Sequence, residues 1–261
     1  MTRPEELLAR EVALFEETHP RSRELARQAR SSLLAGVPMH WMVRWAGGFP
    51  VFAADAAGAR FRDVDGHEYV DLCLGDTGAM TGHSPPPVVR AIAEQAAHGI
   101  TLMLPSEDAL RVGEELTRRF GLARWQFALT ATDANRFVLR LARLVTGRPK
   151  VLVFNWCYHG TVDETFATLE GGRVVSREGN LGPPVPLDET TRVVEWNDAG
   201  ALERELANGD VACVLAEPAL TNIGIVLPEP GFHDALRRLT REHGTLLVID
   251  ETHTLCAGPG G

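Results

Sequence analysis

Two short uninterrupted apolar runs, Val211–Ala216 and Leu246–Leu247–Val248–Ile249, limit the fold of this chain more than any other feature. Runs of this length without alternation belong to strands covered on both faces, which is the signature of a parallel sheet. Between them lies a helical pattern near 231–243, and the same alternation extends upstream. Helices are predicted near 86–98, 107–119, 132–145 and 198–207, with further strands near 125–129, 150–154 and 191–195. Strands alternating with helices imply an α/β domain with a mostly parallel sheet and helices on both faces.

The N-terminal part reads differently. Residues 4–33 carry helical apolar spacing interrupted at His19-Pro20, which predicts two helices with a break. From Phe49 to Leu72 short β-rich runs flank Asp65-Gly66, a hairpin signal, so a small antiparallel meander is expected. The expected organisation is therefore residues 1–75 as a helical and β-meander segment, and 76–261 as an α/β domain. Residues 171–190, rich in Gly, Pro, Asn and Ser, read as a surface loop, and Gly258-Pro259-Gly260-Gly261 as a turn.

Composition excludes some functions. The net charge of −9 disfavours nucleic acid and anionic membrane as partners. Cys73, Cys157, Cys213 and Cys256 are widely spaced and form no Cys-x-x-Cys pair, so neither a disulfide framework nor a zinc site of that type is expected, and metal is assigned no role. Met1 is followed by a polar stretch, and no run reaches membrane-spanning length. A reducing, cytoplasmic setting is the expectation. Lys150 is the only lysine in the chain.

Ligands of open α/β sheets sit beyond the carboxyl ends of the strands, and four candidate constellations fall at such places. Leu129–Asn135 opens a helix with small polar residues, which suits either an anion or a plain cap by Thr130 or Thr132. Tyr158-His159-Gly160 follows the strand 150–154 and suits either cover for a planar ligand or ordinary loop packing. Glu217-Pro218 to Asn222 follows 211–216 and suits a polar pocket or a turn. Asp250-Glu251-Thr252 closes 245–249, where a carboxylate needs a partner such as a protonated ring nitrogen or a helix to cap.

In order and spacing these motifs resemble the class III, fold-type I pyridoxal-phosphate aminotransferases, especially the branch of glutamate-1-semialdehyde aminomutases and β-amino-acid aminotransferases. Ala35-Gly36-Val37-Pro38 to Val43-Arg44, Asp63-Val64-Asp65-Gly66 with Tyr69-Val70-Asp71, and Gly82-His83-Ser84-Pro85 are similar to the family's early landmarks. The resemblance implies pyridoxal 5′-phosphate as cofactor, held at its phosphate by Ala131 and Thr132. It implies Tyr158 and Thr252 on the two faces of the ring, Asn222 near the 3′ oxygen, and catalytic Asp250 at the ring nitrogen. Arg44 matches the arginine that grips a substrate carboxylate. A homodimer is implied, with an amino acid, a β-amino acid included, as the small-molecule substrate and amino transfer to a keto acid or aldehyde as the reaction.

Departures from the family pattern are local. Ala131 stands for a usual glycine, Asp133 for a glutamate and Thr252 for a common valine. Gly75-Asp76-Thr77-Gly78 replaces a tryptophan-containing segment of the aminomutases, which favours a transaminase over the intramolecular amine shift. The Schiff-base lysine of the family follows the Asp-Glu motif by about one further helix and strand. The expectation is therefore a truncated chain, inactive alone, with a non-catalytic fragment or partner subunit as the rival interpretation. Lys150 matches a position at the far end of its strand from the ligand.

Overall fold

The computed structural model describes residues 3–258, so the turn expected at 258–261 lies outside the described residues beyond Gly258. The chain divides into two compact units, one ending at Leu104 and the other starting at Pro105.

The first unit opens with α1 (Arg3–Thr18) and α2 (Pro20–Ala29). The break falls at His19, as expected, because Pro20 cannot donate within a continuing helix but suits the first position of a new one. Asp65 on the meander loop accepts from the N–H groups of Arg21 (2.6 Å) and Ser22 (2.9 Å), satisfying free donors of the first turn of α2. Two 3-10 turns, Leu34–Gly36 and His40–Arg44, lead into β1 (Ala53–Ala57), β2 (Arg60–Asp63) and β3 (Glu68–Val70). These form the predicted antiparallel meander in order β1-β2-β3, with Gly66 in the turn at φ +95°, where a side chain would be strained. Helix α3 (Pro86–His98) also belongs to this unit.

The second unit holds α4 (Glu107–Phe120), α5 (Ala131–Thr146), β4 (Lys150–Phe154), β5 (Ala167–Glu170), β6 (Arg173–Ser176), α6 (Leu187–Thr190), β7 (Thr191–Val194), α7 (Ala199–Leu206), β8 (Val211–Ala216), α8 (Phe232–Glu242) and β9 (Leu246–Ile249). Four strands make a wholly parallel sheet in order β7-β4-β8-β9. All six residues of β8 are buried, so both its faces are covered, as its unbroken apolar run requires. Leu139 and Ala142 of α5, Leu202 and Leu206 of α7, and Leu236 and Leu239 of α8 complete the core.

Three segments depart from expectation. Residues 125–129 form no strand: Phe127 and Leu129 are exposed, and their backbone finds no ladder partner among the described residues. An apolar run can favour extension, but a strand exists only where a neighbour supplies the hydrogen bonds. Residues 171–190 are not wholly loop, because β5 and β6 pair as a hairpin around Gly171-Gly172 and α6 follows. Among the described residues Leu246–Ile249 lies at the edge of the sheet with its end residues exposed, despite its apolar composition.

Candidate functional site

From β4 the chain passes to β7 on one side, then returns through α7 to β8 on the other. Connections leaving in opposite directions open a crevice at the carboxyl ends of β4 and β8. The segments after β4, β8 and β9 all emerge at this edge because the three strands are parallel neighbours.

Asp250, directly after β9, lies at the centre of the polar network. Its backbone N–H still bonds Ala216 O (2.8 Å), so the end of β8 sets its position. One carboxylate oxygen, Oδ2, accepts from Asn135 Nδ2 (2.9 Å) and lies 2.8 Å from His159 Nδ1. The other, Oδ1, accepts from the Thr252 N–H (3.0 Å) and the Thr252 hydroxyl. Burial alone would raise the pKa of Asp250, but hydrogen bonds from His159, Thr252 and Asn135 outweigh it and hold the carboxyl below the ordinary range. Asp250 is therefore an ionised acceptor.

His159 is 1% exposed. Burial favours its neutral form, yet Cys157 and Asp250 beside it raise its pKa above the ordinary histidine value. Its Nε2 is buried and has no hydrogen-bond partner. Asn135, buried on the inner face of α5, also donates to His159 O (3.1 Å), so one amide ties helix, loop and carboxylate together.

The start of α5 borders the same loop. Thr130 caps the helix by accepting from Asp133 N (3.1 Å), which leaves the hydroxyl of Thr132 for another task. That hydroxyl accepts from Thr161 N (3.1 Å), and its own proton remains available to donate. Gly160 has φ +77°, and a Cβ there would overlap the Thr132 hydroxyl, so the close approach of loop to helix requires glycine. The N–H groups of Ala131 and Thr132 are the first of the helix and have no intrahelical acceptors.

Glu217 is 4% exposed and joins the loops after β4 and β8. Its Oε1 accepts from Tyr158 N (3.1 Å), and its Oε2 from Thr221 N (3.2 Å) and Oγ1 (2.9 Å). Tyr158 itself is 41% exposed at the crevice. Asn222 is exposed, with Nδ2 at a long 3.5 Å from Trp156 O. Thr252 lies in a turn beyond β9, not on the strand, and its polar atoms face Asp250.

The structure thus brings Ala131, Thr132, Tyr158, Asn222, Asp250 and Thr252 to one edge of the second unit. Arg44 lies in the first unit, exposed at the end of a 3-10 turn. Asn135 and His159 receive no role from the sequence motifs, although a buried asparagine on an otherwise apolar helix face is a usable signal. Lys150 begins β4, a strand of five residues whose opposite end leads to the crevice. Its Nζ donates to Asp188 O at 2.8 Å.

A second local feature lies in the first unit. Leu74, Gly75, Asp76 and Thr77 all have positive φ, between 56° and 69°. The Asp71 carboxylate holds this stretch by accepting from the N–H groups of Cys73, Leu74 and Gly75, while His83 Nε2 lies 2.6 Å from it. Left-handed backbone at three non-glycine residues is a cost that persists only where surrounding bonds enforce it.

Among known proteins, the model of the aminotransferase class-III family matches residues 42–260. A glutamate-1-semialdehyde 2,1-aminomutase of Roseiflexus castenholzii is 39% identical over 240 residues, which cover 90% of this chain and 55% of that protein. The crystal structure of a glutamate-1-semialdehyde-aminomutase from Pseudomonas aeruginosa PAO1 superposes with a TM-score of 0.95 at 55% identity, covering 98% of this chain and 57% of the other. A variant of an aminomutase from the same organism, in complex with PMP, superposes equally well, with the same identity and coverage. This chain therefore spans a little over half the length of the relatives it matches.

Proposed function

Because the chain belongs to the class III aminotransferase family, we propose that it carries the cofactor and substrate sites of a pyridoxal-phosphate enzyme that moves amino groups. The observation that supports this most strongly is the ionised Asp250 held by Asn135 and His159 at the crevice. Such a carboxylate suits a protonated pyridine nitrogen, and the start of α5 suits a phosphate. When bound, pyridoxal phosphate supplies an electron sink for the carbanion left when an amino acid loses a proton.

In this assignment the N–H groups of Ala131 and Thr132 and the Thr132 hydroxyl bind phosphate. Asp250 keeps the ring nitrogen protonated, and His159 and Asn135 fix the carboxylate's orientation. Tyr158 and Thr252 bound the ring, and Asn222 lies toward its 3′ oxygen. Arg44 takes the substrate carboxylate, for which a guanidinium offers a matching fork. Lys150 has no part in the chemistry, since its amine is engaged at the other end of β4. The working enzyme is assigned as a homodimer acting on an amino acid, with a β-amino acid included, and a keto acid or aldehyde acceptor.

A second reaction, the intramolecular amine shift, is favoured by the 55% identity to a protein described as an aminomutase. The departure at Gly75–Gly78, where the backbone is strained, favours external transfer. One experiment separates them. A protein of the relatives' full length carrying this sequence is incubated with pyridoxal phosphate and an amino acid, with and without a 2-oxo acid. Turnover that requires the oxo acid supports transfer; glutamate-1-semialdehyde conversion without any acceptor supports the shift. Failure of both, with Asp250→Asn indistinguishable from wild type in cofactor binding, would remove the assignment.

A further inference from the structure

Away from the crevice, in the first unit, His19, Asp63 and His67 converge. One donor atom from each lies within 4.8 Å of the others. His19 and Asp63 are buried, at 8% and 2% exposure, while the His67 side chain is 38% exposed. Asp63 Oδ2 lies 3.5 Å from His19 Nε2 and 3.0 Å from His67 Nδ1. In a tetrahedral site with bonds near 2.1 Å, ligand atoms stand about 3.4 Å apart, so the two separations from Asp63 need adjustments of only a few tenths of an ångström, and the two imidazoles close the remaining side from within 4.8 Å.

The protons point the same way. His19 Nδ1 lies 2.9 Å from the Phe15 carbonyl oxygen and 3.0 Å from Thr18 Oγ1; with its proton on Nδ1 toward the carbonyl, the neutral ring presents its lone pair at Nε2. A backbone carbonyl on the far ring nitrogen is the kind of partner that orients metal-binding histidines. Nε2 then meets Tyr69 Oη at 2.8 Å, but the same hydroxyl donates to Asp63 Oδ2 at 2.9 Å. One hydroxyl proton cannot serve two acceptors. In that tautomer the Nε2 lone pair has no donor of its own, and a cation placed there would take it.

We propose that His19, Asp63 and His67 form a site for one zinc-class divalent cation, with water in the fourth position. Two imidazoles and a carboxylate suit Zn²⁺ or Co²⁺ and do not suit Mg²⁺ or Ca²⁺, which take oxygen ligands. On binding, His67 moves its proton from Nδ1 to Nε2, and its exposed ring gives the ion a way in. The cation joins the break between α1 and α2 to the meander hairpin, so its role is structural and independent of the crevice.

The test uses the whole chain stripped with a chelator and titrated with Co²⁺, followed by visible absorption and then Zn²⁺ displacement. One equivalent with the intense absorption of tetrahedral Co²⁺ is expected, and Zn²⁺ should raise the melting temperature. His67→Ala, at a part-exposed ring, should weaken binding by at least about tenfold and abolish the thermal gain, while the exposed control His233→Ala changes neither. If His19→Ala fails to fold, His67→Ala still decides. Absence of the band, or equal affinity in His67→Ala and wild type, overturns the site.

Discussion

His159 and Asp250 are 91 positions apart in the chain, yet Nδ1 of the first lies 2.8 Å from Oδ2 of the second. Both side chains are almost fully buried, at 0% and 7% exposure. A charge in such a place is tolerated because every lone-pair direction of the carboxylate meets a donor. The pairing also decides how the crevice responds to pH and to small substitutions.

Removal of the imidazole by His159→Phe takes away the donor that contributes most to the low pKa of Asp250. A carboxylate held low in the folded state contributes stability above its unfolded pKa and loses it as pH falls through the folded value. In the variant the folded value rises, so that loss begins at higher pH. Urea midpoints measured between about pH 6 and pH 3 should fall sooner than in wild type, and the acidic limb of cofactor binding should shift upward with them. Superimposable pH profiles would show that His159 does not act on Asp250.

Thr252→Val should strengthen cofactor binding. The Thr252 hydroxyl occupies one of four acceptor positions on Asp250, and it is the only one of the four donors that a simple rotation releases. A ring nitrogen must displace it, at a cost of roughly one hydrogen bond, about 1 kcal/mol. Valine keeps the shape and removes the competitor, so pyridoxal phosphate affinity measured by fluorescence quenching should rise up to about fivefold. Weaker binding would show that the hydroxyl contacts the cofactor instead.

Gly160→Ala and Gly171→Ala differ in what the new methyl meets. Both sites have positive φ, but Gly171 faces open space while Gly160 abuts Thr132. The first should cost about 2–4 kcal/mol and the second about 1 kcal/mol in denaturant unfolding. Thr132→Ala combined with Gly160→Ala should recover part of the loss. Equal costs at the two glycines would contradict the close approach of loop and helix.

Arg44→Ala should raise KM for amino acids far more than for simple amines. Loss of a charge-assisted pair costs about 1.5–3 kcal/mol, or roughly ten- to a hundredfold in KM. Steady-state kinetics on the two substrate types decides it, and equal effects would take Arg44 out of the substrate site.

Much of this arrangement is legible in the residues. The unbroken apolar run Val211–Ala216 is enough to place a doubly covered strand, because burial on both faces leaves no room for alternation. His19-Pro20 marks a helix break since the constraint is covalent. Pairing is harder to see. Nothing within residues 125–129 says whether a neighbouring strand will pair with their backbone, and none does among the described residues. The hairpin β5-β6 was available from Gly171-Gly172 between β-branched residues, but the polar stretch that follows hides it. At the crevice, Asp250 is conspicuous as a charge ending an apolar strand. His159 and Asn135 are not, because their importance lies in contacts across 91 and 115 positions that only the folded sheet creates.

Those separations carry a consequence for how the crevice comes into being. Asn135 sits on α5, His159 follows β4, and Asp250 follows β9, the last in chain order of the four described strands of this sheet. During synthesis from the N-terminus, the helix and the loop can form while the carboxylate is still inside the ribosome, and closing so long a loop is entropically unfavourable until β9 docks on β8. The anion pocket at α5 can therefore precede the ring-nitrogen partner in time. A phosphate-bearing ligand that arrives early would find the α5 part of its site, and a gain in its affinity would report that β9 has docked.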